Sequence, residues 1–469
     1  MIDITYQIAA ADGLRGDDRD LVLRLAKAWR DHFERNMLRR CYYLMHNRLV
    51  DLGISIPPSL KNLDAACGWA KKTVDVMVEH SKLDGFTVDD ENAQAIINRI
   101  VHDNKMRVLY RKATTSALEQ SFNLYFVANV DGKACVRAYP ANTCGVTWDD
   151  VRQDIEAAMF VVDMRHDDIH GDVPTWVNVV TATDVIRIIY DNNNWTATYT
   201  AHGLGRLPVF LAAHEATLDR PFGASRITRE VMGYVDDAVR ANINEEIAAA
   251  FAASTQKYLL GTDGDPFQYK DRWSAFIGSI FNIDQTEDGT IPQFGQLAQP
   301  SMQPLTDHFR NLCAKMSAAT GIHVAQFGMV HDQPSSAEAI YAENSPLINK
   351  VKQWHDDITD TLIDVALSCI ATAEGVSYDA IVQRGYNILP RFQNPAQPTL
   401  AQMTDASVKI ASVDPLYPKT RTFWTNQGFT AEQVETVLAE EAAAAREQAT
   451  NDAMSAIFGA SSNGNSDTA

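Results

Sequence analysis

Residues 221–254 read PFGASRITREVMGYVDDAVRANINEEIAAAFAAS, and the architecture turns on how they fold. The pattern predicts that a Pro-Phe-Gly turn feeds straight into one long helix, unbroken until a short strand at Tyr258, Leu259 and Leu260. Its apolar residues fall at Ile227, Val231, Val235, Val239, Ile243, Ile247 and Phe251, a strict i+4 series. An α-helix completes a turn in about 3.6 residues, so each step overshoots by about 40° and the stripe winds around the helix. A winding stripe suits a helix wedged between several neighbours; a long helix in a large monomeric core would carry it too. The alanines at 248–250 and 252–253 also read two ways. They are good helix formers, and they are small enough to let neighbouring helices approach closely.

Upstream of this stretch, Leu21, Leu25, Ala28, Trp29, Phe33 and Met37 fall at helical spacing, which predicts an amphipathic helix over 17–52. Pro57 and Pro58 end it, a second helix covers 60–80, and a third covers 91–120 with a break at Asp103 and Asn104. The texture then changes to period two. Residues 122–140, FNLYFVANVDGKACVRAYP, read as a β-hairpin turning at Asp131-Gly132. Further strands are predicted over 158–164, 175–181, 185–190 and 195–199, the last pair turned by Asn192, Asn193 and Asn194. The fold class is therefore α+β, mainly α, with an antiparallel sheet.

Downstream, 257–299 is rich in Gly, Asp, Pro and aromatics, with a short strand over 279–283. A helix over 304–319 ends at Gly321, and Ser335 with Glu338 forms a capping box that starts the next helix. That helix carries 4,3 spacing at Ala337, Tyr341, Asn344, Ile348, Val351, His355, Ile358, Leu362, Val365 and Cys369, suited to helix-on-helix packing. Pro346 inside it should kink it. His355 reads as a satisfied core histidine. Shorter helices follow Gly375, including one over 430–448, and the final SSNGNSDTA is expected to be disordered.

The 469 residues exceed what one core commonly supports, so two or more modules are expected. With 60 Asp and Glu against 41 Lys and Arg, the net charge of −19 argues against tight nucleic-acid binding, which rests on basic groups neutralising phosphates. No apolar run reaches the roughly 20 residues that span a bilayer, and no secretory signal is read at the N-terminus. Cys41, Cys67, Cys135, Cys144, Cys313 and Cys369 are scattered and read as reduced thiols of a protein made in a cytoplasm. No P-loop, nucleophile elbow or paired-cysteine metal motif occurs, so no catalytic residue, cofactor or metal site is assigned. Gly203-Leu204-Gly205 reads as a turn. Asp163, His166, Asp167, Asp168, His170 and Asp172 form the one dense group of metal-ligand types. A solvated hairpin loop and a divalent-ion site, hence a metal-dependent hydrolase, are its two readings.

Four segments in order then carry a likeness. RRCYYLMHNRL around Tyr42 and Tyr43, GWAKKTVDVMVEHSKLDGF over 68–86, the turn of Pro221, Phe222, Gly223 and Ser225, and GIHVAQFGMVHDQPSSAEAIYAENSPLI over 321–348 resemble the portal proteins of tailed bacteriophages, of the siphovirus SPP1 type. Two departures show: Met45-His46 stands where a Gly is usual, and His80 where an Arg is usual.

The resemblance implies a portal fold. Its parts would be an N-terminal wing of helices and sheet over 1–219, a first stem helix over 220–256, a small clip over 257–300 and a second stem helix over 301–319. A tunnel loop over 320–335, a long kinked wing helix over 336–374, a helical crown over 375–450 and a partly disordered tail over 451–469 would complete it.

It implies a homo-oligomeric ring, a dodecamer, at a capsid vertex of the virion, assembled in the host cytoplasm. Double-stranded DNA would pass without sequence specificity during packaging and ejection, past an acidic wall that repels phosphate. Partners would be the terminase large subunit, a head–tail adaptor, and the major capsid and scaffolding proteins, whose assembly the ring would initiate; no membrane and no enzymatic activity of its own are implied. Lys315, Gln326, Phe327, Met329, His331 and Gln333 would face the channel, and Ser335, Ser336 and Glu338 would start the wing helix. A head–tail adaptor or another ring-forming virion protein is the structural alternative.

Overall fold

The computed structural model describes residues 4–47, 66–167, 171–253, 257–260, 293–296, 301–329, 337–396, 400–414, 416–429 and 431–462. These fall in two units, Met1–Pro395 and Ala396–Ala469.

The first unit opens with α1 (Ile4–Ala9) and α2 (Gly16–Tyr43), followed by α3 (Trp69–His80), β1 (Leu83–Val88), α4 (Glu91–Asp103) and α5 (Met106–Gln120). The Asp90 carboxylate caps α4 by accepting from the Ala93 amide at 2.8 Å. The α4–α5 break falls where the sequence placed it, because Lys105 sits at φ 50 and cannot continue a right-handed helix. Asn104 seals the break, donating to the Ile100 and Ala134 carbonyls and accepting from the Val136 amide.

The hairpin of β2 (Phe122–Val130) and β3 (Lys133–Pro140) turns on Asp131 and Gly132, both at positive φ, the geometry that matches strand twist. Next come β4 (Cys144–Asp149), β5 (Asp154–Asp167), β6 (Gly171–Val180), β7 (Asp184–Asp191), β8 (Asn194–Ala201) and β9 (Val209–Ala213). Strands β4 to β8 form an antiparallel meander, and β9 joins the hairpin in the order β3-β2-β9.

Strand alternation decides the layers. Met159, Val161, Val177, Val179 and Ile188 of the meander face Leu25, Ala26 and Trp29 of α2. Ala158, Phe160 and Val180 on its other face meet Phe122, Leu124, Phe126 and Val209 of the three-stranded sheet. That sheet turns Tyr125, Val127 and Phe210 toward the helices.

The rest of the unit is α6 (Arg229–Ala253), β10 (Lys257–Leu260), β11 (Gln293–Gln296), α7 (Gln303–Thr320), α8 (Ala337–Glu374), α9 (Tyr378–Val382) and β12 (Ile388–Phe392). β10 pairs antiparallel with β11, and β12 returns to pair with β1. α6 packs against α7. The predicted stripe of α8 is buried at Ile348, Val351, His355, Ile358, Leu362, Val365 and Cys369, and Pro346 lies within the helix. Each such aliphatic side chain contributes about 1.5–3 kcal/mol on burial. His355 is the core histidine expected: its ring stacks on Phe392 at 4.0 Å, and its Nε2 lies 3.0 Å from the Ser81 hydroxyl.

The second unit contains α10 (Leu400–Val413), α11 (Arg421–Asn426) and α12 (Ala431–Ser462), with Tyr417, Phe423, Trp424 and Phe429 packed ring edge to ring face. No described helix is long and apolar enough to cross a membrane.

Several boundaries move. α2 stops at Tyr43 rather than 52, and α6 starts at Arg229 rather than at the Pro-Phe-Gly turn. α12 runs on to Ser462, through residues where a partly disordered tail was expected from 451. Strands β1, β4, β9 and β12 were not foreseen. Pro57, Pro58, the strand over 279–283, the capping pair Ser335 and Ser336, and the last seven residues lie outside the described residues.

Candidate functional site

The motif at 221–226 is a knot that ties the start of α6 to five other elements. The Phe222 ring lies between Phe122 and Trp148, at centroid distances of 5.4 and 5.7 Å. Gly223 has φ +66, and a Cβ there would sit 2.2 Å from the His214 carbonyl oxygen, so the turn tolerates no side chain. The same carbonyl accepts from the Ala224 amide at 2.7 Å, and the His214 Nδ1 lies 2.8 Å from the Ala224 carbonyl. Burial pulls the His214 pKa down to about 4, so the ring is a neutral donor at this bond.

The Ser225 hydroxyl donates to the Glu119 carbonyl at 2.6 Å and accepts from the Ile227 amide at 2.9 Å. The Arg226 amide donates to the Leu118 carbonyl. Residues 223–227 are thus bonded to the end of α5 and to His214, which is why the helix waits for Thr228. The Thr228 hydroxyl accepts from the Val231 amide at 3.2 Å, as an N-cap does.

Arg226 is the centre of the knot. It is 5% exposed, has no carboxylate at ion-pair distance among the described residues, and donates instead to the Thr73 carbonyl of α3 at 2.9 Å and the Thr320 carbonyl of α7 at 3.0 Å. Thr320 is the last residue of α7, where the helix dipole favours a cation. Burial lowers the guanidinium pKa to about 10, which leaves it charged at neutral pH. Gly321 at φ 71 caps α7 from the other side.

The tyrosine pair holds the same assembly from α2. The Tyr42 hydroxyl donates to Asp236 of α6 at 2.8 Å, and Asn47 donates to the other oxygen at 2.9 Å. Tyr43 donates to Asp75 of α3 at 2.8 Å. Burial first, and these carboxylates second, raise both phenol pKa values, that of Tyr42 to about 12.

The 321–329 segment folds back on the core. Val324–Phe327 forms a 3-10 turn, and Phe327 is buried against Trp69 of α3 at 5.6 Å. In the single chain this ring is therefore part of the helical core, where an apolar side chain gains more than in solvent. Gln326 and Lys315 are exposed, and Met329 is half-buried against the helical core. His323 pairs with Glu343 of α8 at 3.1 Å. His331, Gln333, Ser335 and Ser336 lie outside the described residues, as does the side chain of Glu338.

In the acidic cluster, His166 and Asp172 face each other across β5 and β6 at 2.8 Å, and Thr175 donates to Asp163 at 2.7 Å. Asp168 and His170 lie outside the described residues. Arg226, His214 and Asp236 were missed from sequence. Arg226 directly follows the Pro-Phe-Gly-x-Ser turn, and Asp236 lies beside Val235 of the apolar series.

The chain matches the family described as phage portal protein, SPP1 Gp6-like, over residues 24–451. The portal proteins of Mycobacterium phages D29 and L5 are each 22% identical to it, over 416 and 407 residues. Those alignments cover 82% and 79% of this chain and 81% and 77% of theirs. Among solved structures, a chain in the neck of the native GTA particle computed with C12 symmetry is 10% identical, with a TM-score of 0.45, covering 77% of this chain and 89% of that one. A chain from the virion of the native gene transfer agent particle has the same TM-score and identity, covering 83% and 98%.

Proposed function

Because this chain belongs to the phage portal proteins of the SPP1 Gp6-like type, we propose that twelve copies form a ring at one capsid vertex, through which double-stranded DNA enters during packaging and leaves at ejection. The family match across 24–451 carries the reading. The order of elements supports it: a long helix, an excursion closed by the β10–β11 pair, a returning helix packed on the first, a folded turn, and a second long helix. α6 and α7 are the stem helices, 257–300 the clip that docks the terminase large subunit and then a head–tail adaptor, and 320–335 the tunnel loop. The helices and sheets before Pro221 together with α8 form the wing, and the segment after Gly375 the crown.

In this reading the ring serves as a passive conduit, and the motor supplies the energy. Gln326, Met329, His331 and Gln333 of the loop, with Lys315 on α7, are the channel-side groups, and the protein reaches the virion with the major capsid and scaffolding proteins. The winding stripe of α6 supports a ring as well: Ile227, Val231, Val235 and Val239 are buried, whereas Ile243 and Ile247 stay partly exposed in the single chain.

Negative-stain electron microscopy with light scattering tests the proposal. Annular particles with a central hole and the mass of twelve copies are expected. A chain that stays monomeric even when mixed with its capsid and scaffolding proteins overturns it and favours a head–tail adaptor.

A further inference from the structure

A cavity of about 530 Å³ opens between the C-terminal end of α2, the outer side of α5 and the β2–β3 hairpin. Three exposed cations, Arg40, Arg111 and Lys112, line it, in a chain of net charge −19. Arg40 is spent on Glu119, at 3.5 Å, whose buried carboxyl also accepts from the Gln120 amide at 3.3 Å. Arg111 and Lys112 have no carboxylate at ion-pair distance among the described residues, so two positive charges remain.

The interior is polar and unsatisfied. Asn123 is fully buried, and among the described residues neither its amide oxygen nor its amide nitrogen has a hydrogen-bond partner; the Ser116 hydroxyl has none either. A turn of the neighbouring Tyr125 hydroxyl can satisfy one of the two Asn123 atoms, not both. Buried polar atoms left unpaired cost about 1–3 kcal/mol each. A ligand presenting both a donor and an acceptor would recover that cost, and Leu109, Ala113 and Pro140 give its carbon skeleton an apolar wall.

We propose that this cavity receives an acidic peptide segment of a partner protein. The Asp or Glu carboxylate of that segment pairs with Arg111 and Lys112, while its backbone carbonyl and N–H reach the Asn123 nitrogen and oxygen, which are closed to solvent in the free chain and open only as the segment enters. Inorganic phosphate matches less well, because it presents chiefly acceptors, leaves the Asn123 oxygen unanswered and makes no use of the apolar wall. A nucleic-acid duplex is too wide to enter.

The full chain is applied to two immobilised pentapeptide pools that differ only in Asp/Glu against Asn/Gln at the central position. The acidic pool should retain at least about fivefold more protein, the ratio that about 1 kcal/mol gives. That ratio should fall to near one in the Arg111→Ala/Lys112→Ala double variant and in Asn123→Leu, with both variants melting as the parent does. Should Asn123→Leu fail to fold, the double variant at two exposed positions decides alone. Pentapeptides tiled over this chain's own acidic stretches separate a second copy from a different protein as the source. Equal retention of the two pools, retention indifferent to the double variant, or displacement by equimolar inorganic phosphate overturns the proposal.

Discussion

At Gly223 two constraints coincide, a left-handed backbone and a carbonyl 2.2 Å from where a Cβ would sit. Gly223→Ala should therefore cost about 3 kcal/mol or more, since backbone must move as well as twist. Gly132→Ala meets no atom within 4 Å and should cost only about 1 kcal/mol. Urea titration of the two variants side by side checks the contrast, and equal midpoints would refute it. His214 and His355 predict the response to acid. Burial lowers both folded pKa values from 6.5 to about 4, so the folded state prefers the neutral rings. Their contribution is complete above pH 6.5, where the unfolded chain is also neutral. It is lost as pH falls from 6.5 toward 4, because the unfolded state there binds more protons. By pH 5 each should have forfeited about 2 kcal/mol. Denaturation midpoints measured from pH 7.5 to pH 5 should fall accordingly, and His355→Asn should remove part of that slope.

Among the elements, Arg226 makes α3, α6 and α7 behave as one body, because a single guanidinium on the approach to α6 holds a carbonyl of each of the other two. Arg226→Met keeps most of the volume and leaves the Thr73 and Thr320 carbonyls without this donor, at a cost of about 3 kcal/mol. Amide exchange should quicken together at the N-terminal turns of α6 and the last turn of α7; a change confined to one helix would show that the link is not shared. Much of this arrangement was legible in advance. The i+4 series located α6, Asp131-Gly132 located the hairpin, and Gly321 located the end of α7, because periodicity and turn chemistry are local. The knot itself was not legible. Thr73, Thr320 and Arg226 meet only through tertiary packing, and their bonds run to backbone carbonyls, which every residue possesses. The packing of Phe327 was not legible for the same reason: a loop position looks exposed until Trp69, more than 250 positions earlier, covers it. Strands β1 and β12 pair across about 300 residues and carry no turn between them to announce the match.

For the molecule as a whole, the distribution of buried apolar side chains sets what can be removed. Among the described residues, all three buried clusters draw their members from positions before 395. In the second unit the aromatic cluster packs around α11, Arg421 of α11 pairs with Glu435 of α12 at 2.5 Å, and the Gln427 side chain donates to the Met403 carbonyl of α10. Hydrophobic burial is the main favourable term in folding, so a chain ending at Pro395 should retain nearly all of the stability of the first unit. Its melting temperature should lie within about 3 °C of the full chain, a shift that corresponds to about 2.5 kcal/mol in a unit of this size. Loss of a cooperative transition would mean that the second unit completes the core. If the shortened chain melts normally, its behaviour in the electron microscope separates folding from assembly. Rings built without 396–469 would place the ring contacts in the first unit, where Ile243 and Ile247 remain partly exposed on α6. A folded monomer would instead assign ring closure to the second unit, where Val408, Val413 and Leu416 are exposed.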